Sequence, residues 1–229
     1  MQQPETASAP AIPLSLFAGA LLYGGLCVLA GVLGTKIADL GHWPLVGNLA
    51  VESGIFAFLL LVVLASATAE LHGTATANRL VRFGFVPLIV SMLLLEFVIH
   101  IVPPAPFWGD QPAFAHLLGQ GARMQFAGLI SYGTSQTLNV AVFSRLAQGK
   151  TGHLLWLRAW IASLLSQVVD TAIFITISFY GVMDSATGTP LPIGTLMTGQ
   201  IIAKLILSTI MVPPLIYLFV NLGRWLDRR

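Results

Sequence analysis

Charged residues are scarce in this sequence. They make up 9% of its 229 residues, whereas hydrophobic residues make up 56% and the mean hydropathy is +0.84. A soluble globular domain carries about 25% charged residues, so this composition excludes that class. The single cysteine, Cys27, has no disulfide partner, which excludes a disulfide scaffold and thiol redox chemistry. The net charge of +2 forms no basic patch, so nucleic acid is not an expected partner.

Enzyme motifs are also missing. The run from Tyr132 to Gln136 lacks the spacing of a G-x-S-x-G serine nucleophile, and the histidines do not form H-E-x-x-H. No G-x-x-x-x-G-K-[ST] loop is present, so any energy from ATP must come from another subunit. We therefore expect a chain without catalytic residues, cofactor or metal.

Long apolar runs dominate the chain instead. A bilayer core of about 30 Å requires about 20 mostly apolar residues per helix. Cutting the chain at charges, proline and glycine predicts an all-α integral membrane protein with six transmembrane helices. They are predicted at residues 13–33, 48–69, 84–102, 123–147, 154–180 and 194–222. We expect residues 1–12 to be a disordered tail, residues 13–222 to form the transmembrane domain and residues 223–229 to be a basic cytoplasmic C-terminus. Within the transmembrane domain, residues 34–47 are expected to form a short interfacial helix.

Basic residues near the ends of the spans and in the connections between them are distributed unevenly between the two sides. Because six spans cross the membrane in alternating directions, both termini lie on the same side of it. The loops that join the second span to the third and the fourth span to the fifth lie on that side too. That side collects eight basic residues, namely Arg79, Arg82, Arg145, Lys150, Arg158, Arg224, Arg228 and Arg229, and the other side holds Lys36 and Arg123. The positive-inside rule then places both termini in the cytoplasm.

Polar residues inside the spans recur at helical spacing. A charged side chain at the centre of a span costs about 2.5–3.5 kcal/mol, so each requires a partner or a cavity. Spacings of three and four residues put these side chains on one face of each of three helices. The faces consist of Gln125, Tyr132, Gln136, Asn139 and Phe143 on the fourth span, Ser163, Gln167, Asp170, Phe174 and Ser178 on the fifth, and Gln200, Lys204 and Ser208 on the sixth.

Asp170 and Lys204 are predicted to meet. Each lies ten or eleven residues from the outer end of its span, which is about 15 Å at a rise of about 1.5 Å per residue. Such a pair is either a structural staple or part of a ligand cavity. Glu96 and His100, four residues apart on the third span, also fall in its outer half and favour a cavity, unless they are only a helix-surface pair.

Two further acidic residues, Glu52 and Glu70, lie near the ends of the second predicted span. Side chains at such positions reach the aqueous phase by extending along the helix. We therefore expect both carboxylates to snorkel to water.

Several of these residues belong to recurring patterns. The chain contains Leu157-Arg158, then Ser166-Gln167-x-x-Asp170-Thr171-x-x-Phe174, and then Ile177-x-Phe179-x-Gly181. It also contains Gly34-Thr35-Lys36-Ile37, Glu70-x-x-Gly73-x-x-x-Ala77-x-Arg79 and Gln200-x-x-x-Lys204. Together these patches make the chain similar to the queuosine precursor transporters, a vitamin-uptake-like family.

The resemblance implies a six-helix fold similar to the substrate-binding subunits of energy-coupling-factor vitamin importers. It also implies import of 7-deazaguanine bases, such as queuine and its precursors, across the bacterial inner membrane for queuosine salvage. A carboxylate suits the donor pair of such a base and an ammonium or amide suits its O6 acceptor. The predicted substrate-binding residues are Asp170, Gln167, Lys204, Glu96, His100, Gln125, Phe174, Tyr132 and Lys36.

Other functions use the same sequence features. A substrate-binding subunit that requires a separate ATPase module would have the same fold. Small residues on the first helix, such as Gly24, Gly31 and Gly34, would suit a homodimer or a partner helix. A membrane assembly protein without a solute is a third class, and the charged residues inside the spans argue against it.

Overall fold

Helices make up most of the described chain, together with one β-hairpin. The computed structural model describes residues 12–44, 47–147, 155–184 and 187–228. The elements in order are α1 (Leu14–Gly34), β1 (Ile37–Trp43), β2 (Gly47–Glu52), α2 (Gly54–His72), α3 (Thr74–His100), α4 (Gln111–Ala147), α5 (Leu155–Phe179) and α6 (Ile193–Asp227). Among the described residues, α1, α2, α3 and α6 are long and apolar enough to cross a membrane. The predicted class, a helical membrane protein, agrees with this architecture.

The hairpin is an addition to the predicted helical architecture, and it contradicts the interfacial helix predicted at residues 34–47. β1 and β2 pair in antiparallel orientation, with a bulge between Asp39 and Gly41. Gly41 and Gly47 have φ values of 77° and 83°, a region that side chains with a Cβ rarely adopt. These two glycines therefore favour a bulged, tightly turning hairpin over a helix.

The second strand is buried against α6. Leu49 and Val51 alternate along β2 and are each 1% exposed. Gly199 of α6 lies against the backbone of Ala50, because a Cβ at Gly199 would overlap the Ala50 carbonyl oxygen. At membrane depth, backbone outside helices is tolerated only where protein covers it or where it lines a cavity. The packing on α6 supplies this cover, and α2 starts only after the hairpin, at Gly54 rather than at residue 48.

Three other helices extend beyond their predicted limits. α3 begins at Thr74 rather than at residue 84, directly after Gly73, whose φ of 84° ends α2. α4 begins at Gln111 rather than at residue 123, and Pro112 occupies its first turn, where a missing N–H is tolerated. α6 continues to Asp227, so most of the predicted basic C-terminal segment is helical.

Candidate functional site

A cavity of about 560 Å³ lies between the helices. Sites for small molecules have volumes of about 300–1,000 Å³, so a solute the size of a purine fits within it. All six helices and the end of β2 contribute to its wall. The polar and aromatic residues in the lining include Tyr23, Glu52, Phe58, Phe85, Gln125, Tyr132, Ser135, Gln167, Asp170, Phe174, Gln200, Lys204 and Ser208.

The ion pair between α5 and α6 borders this cavity. Lys204 Nζ lies 3.2 Å from Asp170 Oδ2, which confirms the prediction that the two side chains meet. The ammonium also donates to Thr171 Oγ1 at 3.3 Å and lies 5.1 Å from the centre of the Phe58 ring. Ser135 Oγ donates to the other Asp170 oxygen at 3.4 Å. The two charged side chains remain 15% and 19% exposed, so both can reach a solute in the cavity.

Gln125 of α4 is a buried amide in the same wall. Its Oε1 accepts a hydrogen bond from Ser91 Oγ at 3.0 Å, and its Nε2 donates to the Val28 carbonyl oxygen at 3.4 Å. Gly31 of α1 makes room for it, because a Cβ at Gly31 would overlap the Gln125 side chain. Contacts from α1 and α3 thus hold the amide in one orientation.

Aromatic rings from α4 and α5 also face the cavity. The Tyr132 ring lies 5.1 Å from the Phe85 ring, measured between centroids, at an interplanar angle of 49°. Phe174 packs beside the buried cluster that contains Met124 and Ile175. Flat rings in such a wall can stack on a heterocyclic base. Gln167 also lines the cavity.

Three predicted site residues do not line the cavity. Glu96 and His100 lie at the C-terminal end of α3, beyond the turns around Val81 and Leu88 that border it. His100 Nε2 lies 3.1 Å from Glu96 Oε2, and the side chains are 66% and 49% exposed, so they form the helix-surface pair considered above. Lys36 is exposed in the turn before β1. The fold does not bring these three side chains to the Asp170 and Lys204 pair.

The polar faces predicted on α4, α5 and α6 are only partly within the described side chains. Ser178 is fully buried among neighbouring helices and Ser208 lines the cavity. Four other members of these faces, Gln136, Asn139, Phe143 and Ser163, lie outside the residues whose side chains the structure describes. The observed lining nevertheless draws on all three faces.

Glu52 was not predicted to belong to the site, and the expectation that it snorkels to water is wrong. Its side chain is 4% exposed because β2 carries it into the interior. Gln200 Nε2 donates to Oε1 of Glu52 at 2.8 Å, and the Gly54 N–H donates to Oε2 at 2.7 Å. The spacing on α6 indicates only its partner Gln200, which lies four residues before Lys204 and therefore on the same face of the helix.

An ion pair between membrane helices beside a solute-sized cavity is typical of membrane transporters. Residues 52–219 match the family described as putative vitamin uptake transporter, and the chain belongs to that family. The comparison with curated proteins finds relatives that are named queuosine precursor transporters.

Two curated relatives carry that name. The chain is 32% identical over 114 residues to a probable queuosine precursor transporter of Bacillus subtilis, covering 49% of each chain. It is 29% identical over 127 residues to a queuosine precursor transporter of Escherichia coli, covering 56% of this chain and 54% of the relative. The alignments thus span about half the length of these relatives. Comparison with solved structures gives no match.

Proposed function

We propose that the protein imports 7-deazaguanine bases, such as queuine and its biosynthetic precursors, across the bacterial inner membrane for queuosine salvage. The names of the curated relatives support this substrate class. In this proposal the chain spans the membrane six times with both termini in the cytoplasm, in an arrangement similar to the substrate-binding subunits of energy-coupling-factor importers. The observation that carries the proposal is the Asp170 and Lys204 pair beside a cavity of about 560 Å³.

The chemistry of the cavity wall suits this class of base. A 7-deazaguanine presents N1–H and an exocyclic amine side by side, and one carboxylate accepts both. Asp170 supplies such a carboxylate, while the Lys204 ammonium or the Gln125 or Gln167 amide donates to O6. Tyr132 and Phe174 offer stacking faces, each contributing about 1–3 kcal/mol. A base that lacks these groups leaves buried polar atoms unpaired, at a cost of about 1–3 kcal/mol each.

Binding measurements on the purified protein test the proposal. Queuine, its two biosynthetic precursors, guanine and 7-deaza-adenine are titrated in detergent. We expect the 7-deazaguanines to bind and 7-deaza-adenine to bind at least about tenfold more weakly, because its edge presents the amine where O6 should accept. Equal affinity for both types of base, or no binding of any 7-deazaguanine, would contradict the proposed substrate class.

A further inference from the structure

Three charged side chains appear in the described lining of the cavity: Glu52, Asp170 and Lys204. The single ammonium lies 3.2 Å from Asp170, and these two charges compensate each other. Glu52 accepts hydrogen bonds from two neutral donors, the Gln200 amide and the Gly54 N–H. When Glu52 is ionised, the described lining therefore has a net charge of −1.

The elements packed around Glu52 bring little charge to it. Gly34 of α1 lies close to the carboxylate, since a Cβ there would lie 3.1 Å from Glu52 Oε2. Ile37 of β1 is its partner across the hairpin. From α6 the charge of Lys204 acts on Glu52, and Asp170 of α5 partly cancels that charge. Among the described residues, Lys204 and Asp170 are the other charged side chains in the lining of the same cavity.

Burial without an adjacent cation favours the neutral, protonated form of a carboxylate. The Gln200 amide can form a hydrogen bond with Glu52 whether the carboxyl group is ionised or neutral. Its side chain is 2% exposed, and its Oε1 is a buried acceptor without a hydrogen-bond partner among the described residues. In the observed orientation Nε2 donates to the carboxylate, and a half-turn of the amide would instead place Oε1 to accept the proton of a neutral carboxyl group.

We propose that Glu52 is a proton-binding site through which uptake of the solute is coupled to entry of a proton. The inference rests on the proposed uptake of 7-deazaguanine bases. One proton from the external water binds the Glu52 carboxylate when a base occupies the cavity, and the neutral carboxyl group accompanies the change of access. Release of the proton to the cytoplasm regenerates the carboxylate, so one proton enters with one neutral base.

Proteoliposomes of defined orientation test this coupling with 7-deazaguanine as the solute. With the outside more acidic, the wild-type protein should accumulate the base up to about tenfold per unit of pH difference. Glu52→Gln should let the base equilibrate across the membrane without accumulating, because the amide of glutamine cannot bind and release a proton near neutral pH. Glu70→Gln is the matched control, since Glu70 is exposed near the far end of α2, and it should accumulate the base as the wild type does.

Several outcomes would overturn the inference. Wild-type uptake that does not depend on the pH difference would overturn the proposed proton coupling and leave the proposed function intact. Full accumulation of the base by Glu52→Gln would have the same consequence. Loss of base binding itself in a folded Glu52→Gln protein would make Glu52 a substrate ligand rather than a proton site. Failure of the wild type to bind or admit any 7-deazaguanine would remove the proposed function and the coupling together.

A second measurement needs no variant and covers the case in which Glu52→Gln does not fold. Calorimetric titration of the wild type with 7-deazaguanine, in buffers with different ionisation enthalpies, counts the protons bound with the base. We expect an uptake of a sizeable fraction of one proton when the titration starts from the ionised carboxylate. A binding heat that is independent of the buffer across the pH range of uptake would overturn the proposal.

Discussion

Gly199 of α6 lies directly against the carbonyl oxygen of Ala50 in β2, so a helix and a strand touch through their backbones. This contact sets the depth of the hairpin between the helices. Glu52 follows Ala50 by two residues and Gln200 follows Gly199 by one, so the same contact brings carboxylate and amide to 2.8 Å. A glycine on one element thus determines which acidic side chain enters the cavity.

Gly199→Ala should destabilise the protein, because the added methyl group would overlap the Ala50 backbone and the hairpin would have to move. Overpacking of this kind costs about 1–3 kcal/mol. Thermal unfolding in detergent measures the change. Gly194→Ala is the control in the same helix, since a Cβ there meets nothing within 4 Å. Equal melting temperatures for the two variants would contradict the close contact.

Asp170→Asn should abolish uptake of a 7-deazaguanine base while the protein still inserts and folds. The carboxylate offers two acceptor oxygens, whereas the amide offers one acceptor and an N–H pair that repels the donors of the base. We expect uptake to fall at least about tenfold. Asp110→Asn, in the exposed loop before α4, is the matched control. Normal uptake by Asp170→Asn at normal expression would remove Asp170 from the binding site.

Removing both charges at once separates a binding site from a structural ion pair. If Asp170 and Lys204 only neutralise each other, each single replacement leaves a buried charge and costs several kcal/mol, and the double replacement restores the protein. We expect Asp170→Asn combined with Lys204→Met to be monodisperse in detergent and still inactive, because the carboxylate proposed to accept the base is gone. Restored uptake in the double variant would assign the pair a purely structural role.

A hydrogen-bonded group at the other end of the bundle joins α1, α2 and α6. Ser15 Oγ donates to Asp227 Oδ2 at 2.7 Å and lies 2.7 Å from His72 Nε2. Ser15→Ala should lower the free energy of unfolding by about 1 kcal/mol, measured as a lower melting temperature. Ser208→Ala is the control, because among the described residues Ser208 Oγ donates only to the Leu205 carbonyl oxygen of its own helix. An equal effect of both changes would contradict a stabilising role for the hydrogen bonds that Ser15 makes between helices.

The proposed topology is tested with reporter fusions. The uneven distribution of basic residues predicts a cytoplasmic reporter after Gly73, between α2 and α3, and at the C-terminus. Reporters inserted near Asp110 and Gly188 should be outside. If the reporter near Gly188 were cytoplasmic, α5 and α6 would be inverted, and Asp170 and Lys204 would lie in the inner rather than the outer half of the membrane.

Composition and long apolar runs were sufficient to predict the membrane character, and local periodicity was sufficient to predict the central ion pair. Asp170 and Lys204 each share a helix face with other polar residues, and helical rise places them at one depth without knowledge of the fold. The same reasoning was insufficient for Glu96 and His100. Their spacing predicts that they meet each other, and they do, but spacing cannot say which way α3 turns that face.

The sequence by itself determined a helical, apolar chain in which Asp170 and Lys204 meet, because helix formation and its periodicity depend on neighbours three and four residues away. Only the tertiary structure decided that residues around Leu49 form a strand and that Glu52 is buried. A short apolar run suits a strand and a helix equally well. The choice depends on the partner backbone at Gly199, which lies about 150 residues away along the chain and has no local signature in the hairpin.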